Sequence, residues 1–442
     1  MIRADAIDDT QCSKSELDLF SVPAVVTSMR DSGWVRYTPT TTITGGGPIR
    51  FDVVNPVNNY IDLSQCYLRV VFKIVKGDGT DVAATDNVGP VNNVLHSMFR
   101  EVRVMLGQNQ TEITPSLGTY PYRAYIENCL TYSADVMSNV LQCQGWYRDE
   151  GGKMNDINMQ DGVCNLGMKR RHGLVAPTRE VEVTGRLHCD LFLQPRYLLD
   201  GVPLKIELVR SADSFWLMHD DAESYRGEIT KIEFHTRQVE ISAGIREGHI
   251  KGLKRGLTAK YPISRIRTTA HDISAGLRDY HCGHLVTGEL PKRIVLGLVD
   301  NTAFAGRSSL NPFDFKHKHV TSVKVTVNGH EVHKKSLEVN YDADSSKVNE
   351  VYMDLFRNTG GLWRNGGPPI NRKQFMNGYT LYVIDFSDDL GADEGHTYPI
   401  ESGKVGIEIH FSQPLQNPVT LVCYQEGSCV IEVDAFRNVS IS

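Results

Sequence analysis

The residues with the most obvious potential for chemistry are histidines and a cysteine in the segment HDISAGLRDYHCGH, in the second half of the chain. Side chains of these two types bind metal ions in proteins. The segment contains His271, His281, Cys282 and His284. Their spacing matches no structural zinc pattern, and histidines in loops are commonly solvated. We therefore expect no metal site here.

Other short motifs also fail as catalytic or binding signatures. HEVH (330–333) is one residue short of the HExxH zinc motif, and in a strand its two histidines would point to opposite faces. TGGGP (44–48) lacks the Lys-Ser/Thr of a phosphate-binding loop, and GRSSL (306–310) lacks the final glycine of a nucleophile elbow. KHKH (316–319) is typical of solvated residues on a strand edge. The sequence predicts no cofactor and no enzymatic activity.

Length and composition predict a soluble, intracellular chain with more than one domain. Its 442 residues exceed one ordinary core, and the 40% hydrophobic and 23% charged content is normal for globular proteins. Apolar runs stay well short of the ~20 residues that cross a bilayer, and the charged N-terminus does not resemble a signal peptide. Nine cysteines without a CxxC pair indicate reduced thiols, so we expect the protein not to be secreted.

The charge pattern argues against nucleic-acid recognition. The net charge is −6, so the chain as a whole is not a polyanion binder. Basic residues cluster at Lys169–His172 and again between 251 and 267. Solvated loop charges are one interpretation, and a basic surface that faces inward or meets another subunit is the other. Aromatic residues do not alternate with these charges, and we expect no sequence-specific nucleic-acid binding.

Strand signals dominate the chain. Short β-branched segments bounded by Gly, Asn or Pro recur throughout, and several alternate apolar and polar residues, as in VPLKIELV (202–209) and KVGIEIHF (404–411). Alternation of this kind favours antiparallel sheets with one buried face. The best helical candidates are 120–142 and 347–360, the second ending at Gly360. The predicted fold class is all-β with short helices in the long loops.

The two halves of the chain resemble each other. KIEFHTRQVEI (231–241) and VIEVDAFRNVSI (430–441) both read Ile-Glu-apolar followed by Arg, an amide and Val. A hairpin pattern precedes the helical candidate in each half, and Val102 and Val104 correspond to Val323 and Val325. We predict that the terminal strands are equivalent and that their aliphatic residues are buried: Ile232, Val239, Ile431 and Val439.

This duplication predicts two tandem jelly-roll β-sandwiches. A repeat this long is too large for a solenoid unit, and about eight strands with long connections favour a jelly roll. We expect an N-terminal arm at 1–30, a first jelly roll at 31–243, a linker at 244–258 and a second jelly roll at 259–442. The first half is the longer one, and the Gly-rich stretch 149–177 is the obvious location of the extra residues.

Many ordered segments resemble the major capsid proteins of adintoviruses and Polinton-type elements, which also occur as integrated reading frames in animal genomes. The resemblance runs from about residue 15 to the C-terminus. It is carried by SELDLFSVP (15–23), YIDLSQCYLRVVFKIV (60–75), VGPVNNVLHSMFREVRV (88–104), YPYRAYIE (120–127), GRLHCDLFLQPRYLLDGVPLKIELVRS (185–211), TAKYPI (258–263), LPKRIVLGLVDNTAFAG (290–306), NPFDFKH (311–317), NGYTLYVIDF (377–386) and RNVSI (437–441).

The resemblance implies a double jelly roll similar in plan to adenovirus hexon. It implies homotrimers of pseudo-hexagonal outline that tile an icosahedral shell and contact neighbouring capsomers, penton and minor capsid proteins. The location would be the virion capsid, assembled in the host nucleus or cytoplasm. Whether an internal membrane lies beneath the shell stays open. This chain is much shorter than hexon, so the resemblance does not extend to elaborate outer towers.

The extra residues of the first half are predicted to form an intersubunit clasp. Segment 143–177 carries apolar side chains that a closed sandwich would leave in water, and such residues are enriched in buried interfaces. Lys169–Arg171 would lie at its polar rim. The predicted trimer-interface residues are Trp146, Tyr147, Met154, Met159, Leu166 and Met168. A mobile surface loop is the alternative for this segment.

Two other functions remain open from the sequence. One is a receptor- or glycan-binding β-sandwich protein such as a spike, although no shaft repeat is visible. The other is a β-sandwich glycoside hydrolase, which needs two carboxylates facing each other across a cleft. Acidic residues are plentiful, with 53 Asp and Glu, but no pair stands out.

Overall fold

The computed structural model describes most of the chain, with gaps mainly at the N-terminus and in a few loops. The described residues are 17, 19, 20, 22, 25–114, 117–158, 164–220, 223–332, 335–341, 345–392 and 398–442. Most of the predicted arm at 1–30 lies outside them, and the first strand begins at Met29.

Ten strands lie in the described residues of the first half. They are β1 (Met29–Tyr37), β2 (Ile49–Val53), β3 (Asn59–Lys76), β4 (Val88–Pro90), β5 (Phe99–Leu106), β6 (Thr111–Glu112), β7 (Val181–Gly185), β8 (Leu204–Arg210), β9 (Leu217–His219) and β10 (Tyr225–Ile241). Two four-stranded antiparallel sheets result, in the orders β1-β10-β3-β7 and β2-β8-β5-β6, and β4 pairs with β9. Phe51 on one large sheet and Phe234 on the other have ring centroids 6.2 Å apart, so the two sheets pack face to face.

Ten further strands lie in the described ranges of the second half. They are β11 (Ala259–Ile273), β12 (Asp279–Glu289), β13 (Arg293–Asp300), β14 (Val320–Val327), β15 (His330–Glu331), β16 (Leu337–Glu338), β17 (Leu381–Asp385), β18 (Ser402–Phe411), β19 (Val419–Val433) and β20 (Val439–Ile441). The sheet orders are β11-β19-β13-β17 and β12-β18-β14-β15, with β20 added beside β19 and β16 beside β14. These orders repeat those of the first half strand for strand, which is the arrangement of a double jelly roll.

The hairpins show the duplication at residue level. In the first jelly roll Val102 lies opposite Leu208, and in the second Val323 lies opposite Ile409. Val104 and Val325 likewise face Ile206 and Ile407. The alternation of the sequence produces this match, because only one register turns all of these side chains to the buried face.

The prediction from the terminal repeat is correct for the burial of its aliphatic residues. It is wrong in pairing the two segments residue by residue. Ile232, Val239, Ile431 and Val439 are all buried, as predicted. Residues 231–241 lie within the single strand β10, whereas 430–441 contain the end of β19, a turn and the hairpin strand β20. Arg437, the predicted counterpart of Arg237, lies in that turn with φ 66°. The equivalent elements are β10 and β19. β10 lies between β1 and β3, and β19 lies between the corresponding strands β11 and β13.

Helices occupy the connections. They are α1 (Val94–Ser97), α2 (Tyr120–Thr131), α3 (Ala134–Ser138), α4 (Leu166–Val175), α5 (Asp213–Trp216), α6 (Ala243–Lys254), α7 (Asn301–Phe304), α8 (Asn349–Arg357) and α9 (Arg372–Phe375), with short 3-10 turns at Val140–Gln144, Asp190–Leu193 and Ser345–Val348. The predicted helical candidates contain α2, α3 and α8, and Gly360 follows α8 with φ 69°. Most of the expected linker is helix α6, and β11 begins at Ala259.

Candidate functional site: the joint between the two jelly rolls

Helix α2 of the first jelly roll lies wedged against the second. Tyr125 stacks on Phe313, with ring centroids 4.3 Å apart and planes 5° from parallel, and lies 5.2 Å from the ring of Trp146. One turn earlier, Tyr122 stacks on Phe304 at 5.1 Å. All but Phe304 are almost completely buried. Aromatic pairs of this kind add about 0.5–1.5 kcal/mol each beyond the area they bury, so the wedge is a strong contact between the rolls.

A buried carboxylate, Asp149, ties the long first-half connection to the second roll. It accepts hydrogen bonds from Arg171 Nη2 at 2.6 Å and Asn165 Nδ2 at 2.8 Å, both in the same connection. From the second roll, Asn311 Nδ2 donates to its other oxygen at 3.0 Å, and the Tyr379 hydroxyl donates to its backbone carbonyl at 2.8 Å. Each carboxylate oxygen is therefore satisfied, which a buried charge requires.

Arg171 is the cationic partner of this carboxylate and is fully buried. Its guanidinium also donates to the carbonyls of Pro90, at 2.8 Å, and Tyr147. The prediction that Lys169–Arg171 form a polar rim is thus wrong for Arg171, while Lys169 and Arg170 are exposed. The reason is that Asp149 provides a counter-charge inside the joint, which sequence spacing did not reveal.

The segment just after Asp149 continues along the second roll. Asn155 Oδ1 accepts from the backbone N of Asn311 at 2.7 Å, and its amide donates to Asp314 Oδ2 at 3.0 Å. Arg148 lies over the ring of Tyr379, 4.6 Å from its centroid. Through these contacts, segment 148–155 connects the two jelly rolls within one chain.

Some of the predicted trimer-interface residues are buried within the single chain, and others are exposed. Trp146, Met154 and Met168 are 1%, 2% and 0% exposed within the single chain, so the expectation that they would need a neighbouring subunit is wrong. The covering surface belongs to the same chain, because Trp146 lies against Tyr125 of α2, Met154 lies near Gly378 of the second jelly roll, and Met168 lies near Gly89 of β4. Leu166 is half exposed and Tyr147 is partly exposed, so both can still meet another subunit. Met159 lies outside the described residues.

A second polar contact between the rolls surrounds Arg123 on α2. Its guanidinium pairs with Glu127, at 2.9 Å, and with Asp190, and all three side chains are buried. Asp190 also accepts from the backbone N of Ile266 in β11, at 3.3 Å. Burial raises the pKa of Asp190 to about 6 against the opposing charge of Arg123. Burial also acts to raise the pKa of Glu127, but Arg123 and His188 outweigh it and lower that pKa to about 2.

The residues considered for metal binding do not come together. His271 lies on β11, whereas His281 and Cys282 lie on β12, and His281 approaches Glu408 at 3.4 Å. In the described ranges, no group of three or more His, Cys, Asp or Glu side chains is placed to hold a metal ion. The KHKH motif forms a turn with positive φ at Lys318 and His319, and the predicted strand edge is wrong there. No helix in the described part of the chain has the length and apolar character needed to cross a membrane.

Comparison with solved structures identifies the same fold in viral proteins. A chain from the cryo-EM structure of the Sputnik virophage matches with a TM-score of 0.64 at 9% identity, covering 99% of this chain and 93% of that one. The Faustovirus major capsid protein matches at 0.54 and 10% identity, covering 93% and 92%. The mavirus major capsid protein matches at 0.54 and 11% identity, covering 99% and 96%. At such identities the likeness establishes a shared double jelly-roll fold.

Comparison of sequences gives one distant full-length relative. The uncharacterized protein F54H12.2 of Caenorhabditis elegans is 23% identical over 431 residues, which cover 94% of this chain and 98% of that protein. No family model matches the chain.

Proposed function

We propose that this chain is a viral-type major capsid protein that assembles into pseudo-hexagonal homotrimers and tiles an icosahedral shell. The observation that carries the proposal is the repeated strand order of two jelly rolls held together by a buried joint. Each copy contributes two similar jelly rolls, so three copies place six jelly rolls around one axis. That outline packs a flat lattice, and closed symmetry satisfies the interfaces of such an oligomer.

The joint supports this role because a shell component must keep its two jelly rolls at a fixed angle. The aromatic stacking of α2 and the hydrogen bonds of Asp149 restrict movement of one jelly roll relative to the other. The solved proteins of the same fold include the major capsid proteins of Faustovirus and mavirus. A structural role in a capsid is the function that fits both facts.

We place the chain more narrowly with the adintovirus and Polinton-type capsid proteins. The ordered segments that resemble this family support that placement, and the full-length relative in a nematode fits the occurrence of the family in animal genomes. In a shell the partners would be further copies, neighbouring capsomers, penton and minor capsid proteins, and the location would be the virion. The 1–30 segment would be an arm that orders on a neighbouring copy or on the inner layer of the shell.

The proposal is tested by light scattering after size-exclusion chromatography, followed by negative-stain imaging of the purified chain. We expect the mass of a trimer, particles with a hexagonal outline, and shells at high concentration. A monomer at all concentrations would contradict the proposal. Turnover of a glycan by that monomer would favour the glycoside hydrolase instead.

A further inference from the structure

An apolar groove runs beside helix α6, where the first jelly roll leads into the second. Its volume is about 700 Å³, and it lies between α6 and the starts of β1 and β11. The apolar side chains along it include Tyr60, Tyr197, Leu199, Ile241, Leu253 and Leu257. Leu257 is 65% exposed, so the groove is open to solvent in the single chain.

Helix α6 presents a face of glycines beside this groove. Gly244, Gly248 and Gly252 follow one another at intervals of four residues and therefore share one face. A Cβ added at Gly244 or Gly248 would meet no atom within 4 Å, so nothing among the described residues requires a small side chain there. Glycine is among the poorest residues for a helix interior, and one of its structural uses is to let another group approach the backbone closely. In the described part of the chain, the space beside Gly244 and Gly248 is unfilled.

The N-terminal segment has the chemistry to be that occupant. Its described apolar side chains are among the most exposed in the protein, with Phe20 99% exposed. The exposed members are Leu17, Leu19, Phe20, Val22, Val25 and Val26. In the sequence, the acidic Glu16 and Asp18 stand next to these residues, and the basic Arg196 and Lys260 line the groove.

Position and reach connect the segment to the groove. The segment enters β1 through Ser28 and Met29, which themselves line the groove. Residues 17–27 in extended conformation reach about 35 Å, enough to cross an interface to an adjoining molecule. Among the described residues, both the apolar side chains of the segment and the groove face solvent, so each leaves apolar surface for another copy to cover.

We infer that residues 17–27 of one copy dock in the α6 groove of a neighbouring copy, with their backbone against the glycine face. The inference rests on the proposed function, because it requires copies to assemble. It adds to that function a specific contact through which each copy holds the next.

Photo-crosslinking of the full-length chain tests this contact. Phe20 is replaced by benzoylphenylalanine, and ¹⁵N-labelled and unlabelled copies are mixed, assembled, irradiated and digested for mass spectrometry. We expect residue 20 to cross-link to peptides from 243–261, with mixed-isotope products as frequent as same-isotope products. Same-isotope products alone would place the segment in the groove of its own chain and overturn the inference.

A variant that fills the groove provides the second arm. Gly248→Leu adds bulk on the glycine face while improving helix propensity, so the chain should fold and the groove cross-links should be lost. The matched control is Gly173→Leu on α4, where an added Cβ also meets no atom within 4 Å. Ile245→Asp, at a position 39% exposed beside the groove, replaces Gly248→Leu if that variant does not fold. Groove cross-links that persist in the folded groove variant would overturn the inference.

Three further outcomes distinguish this contact from membrane binding and from a failure to assemble. If the segment cross-links to lipid in phosphatidylcholine–phosphatidylserine vesicles and not to the groove, its partner is a membrane and the inference is wrong. Assembled particles without groove cross-links would overturn the inference and leave the proposed function standing. A chain that stays monomeric would overturn both.

Discussion

Asn311 of the second jelly roll donates a hydrogen bond to Asp149 of the first, with 3.0 Å between Nδ2 and Oδ2. The two residues are 162 positions apart in the sequence, and both are about 1% exposed. Their contact places a paired charge at the centre of the joint. Because a buried charge that loses its partner is costly, this site makes the relative position of the two rolls sensitive to single substitutions.

Asp149→Asn should therefore be strongly destabilising. The amide has nearly the same shape, but it leaves the fully buried Arg171 without its counter-charge. We expect the free energy of unfolding to fall by about 3–5 kcal/mol, measured by denaturant titration. Glu150→Ala is the control, since Glu150 is 37% exposed and pairs with Lys153 at the surface, where we expect a loss below about 1 kcal/mol. Equal effects of the two substitutions would contradict the role of Asp149.

The strands could be predicted from the sequence because their signals are local. Alternation along 202–209 and 404–411 fixes which residues face the core, and β8 and β18 follow from it. The terminal repeat failed after Glu432 because a turn interrupts it. Asp434 accepts from the backbone N of Phe436 and of Asn438, both at 2.8 Å, and folds the last strand back on β19.

The joint could not be predicted in the same way. Its residues have ordinary neighbours in the sequence, and their partners come from the other half of the chain. The apolar content of 143–177 correctly indicated burial for Trp146, Met154 and Met168, but periodicity carries no information about which surface covers them. Asp149, Asn311 and Tyr379 had no local signal at all.

The buried imidazole of His96 should make stability depend on pH. Burial, with a smaller contribution from His188, lowers its pKa well below 6.5. The unfolded chain therefore binds the proton first as the pH falls below about 6.5, and stability is lost there by up to about 1.4 kcal/mol per pH unit. His96→Gln should reduce the loss between pH 7 and pH 5 in denaturant titrations.

The control for this measurement is His284→Gln, a substitution at an exposed histidine of β12. We expect it to leave the pH dependence as in the unsubstituted chain. If His96→Gln and the unsubstituted chain lose equal stability over the same pH range, another group is responsible.

Ile431→Ala tests the core position of β19. Ile431 is fully buried and lies opposite Tyr261 of β11 and Ile441 of β20. Removing its side chain should lower the free energy of unfolding by about 2–5 kcal/mol, as for other large-to-small core substitutions. Phe436→Ala, in the exposed turn that follows, should change it by less than about 0.5 kcal/mol. A small effect at Ile431 would mean that the second sandwich does not depend on its terminal hairpin.

Leu166→Asp tests what remains of the predicted intersubunit clasp. Leu166 is the first residue of α4 and is 50% exposed, although its neighbours Gly167 and Met168 are buried. A carboxylate at the start of a helix is favourable for the helix itself, so the single chain should keep its stability. If this residue faces a neighbouring subunit, the buried charge should reduce the trimeric fraction by at least about tenfold in light scattering. Val140→Asp, at a position 64% exposed, is the control for an apolar residue outside α4. An unchanged trimer in Leu166→Asp would exclude α4 from the subunit interface and restrict the long connection to its role between the two jelly rolls.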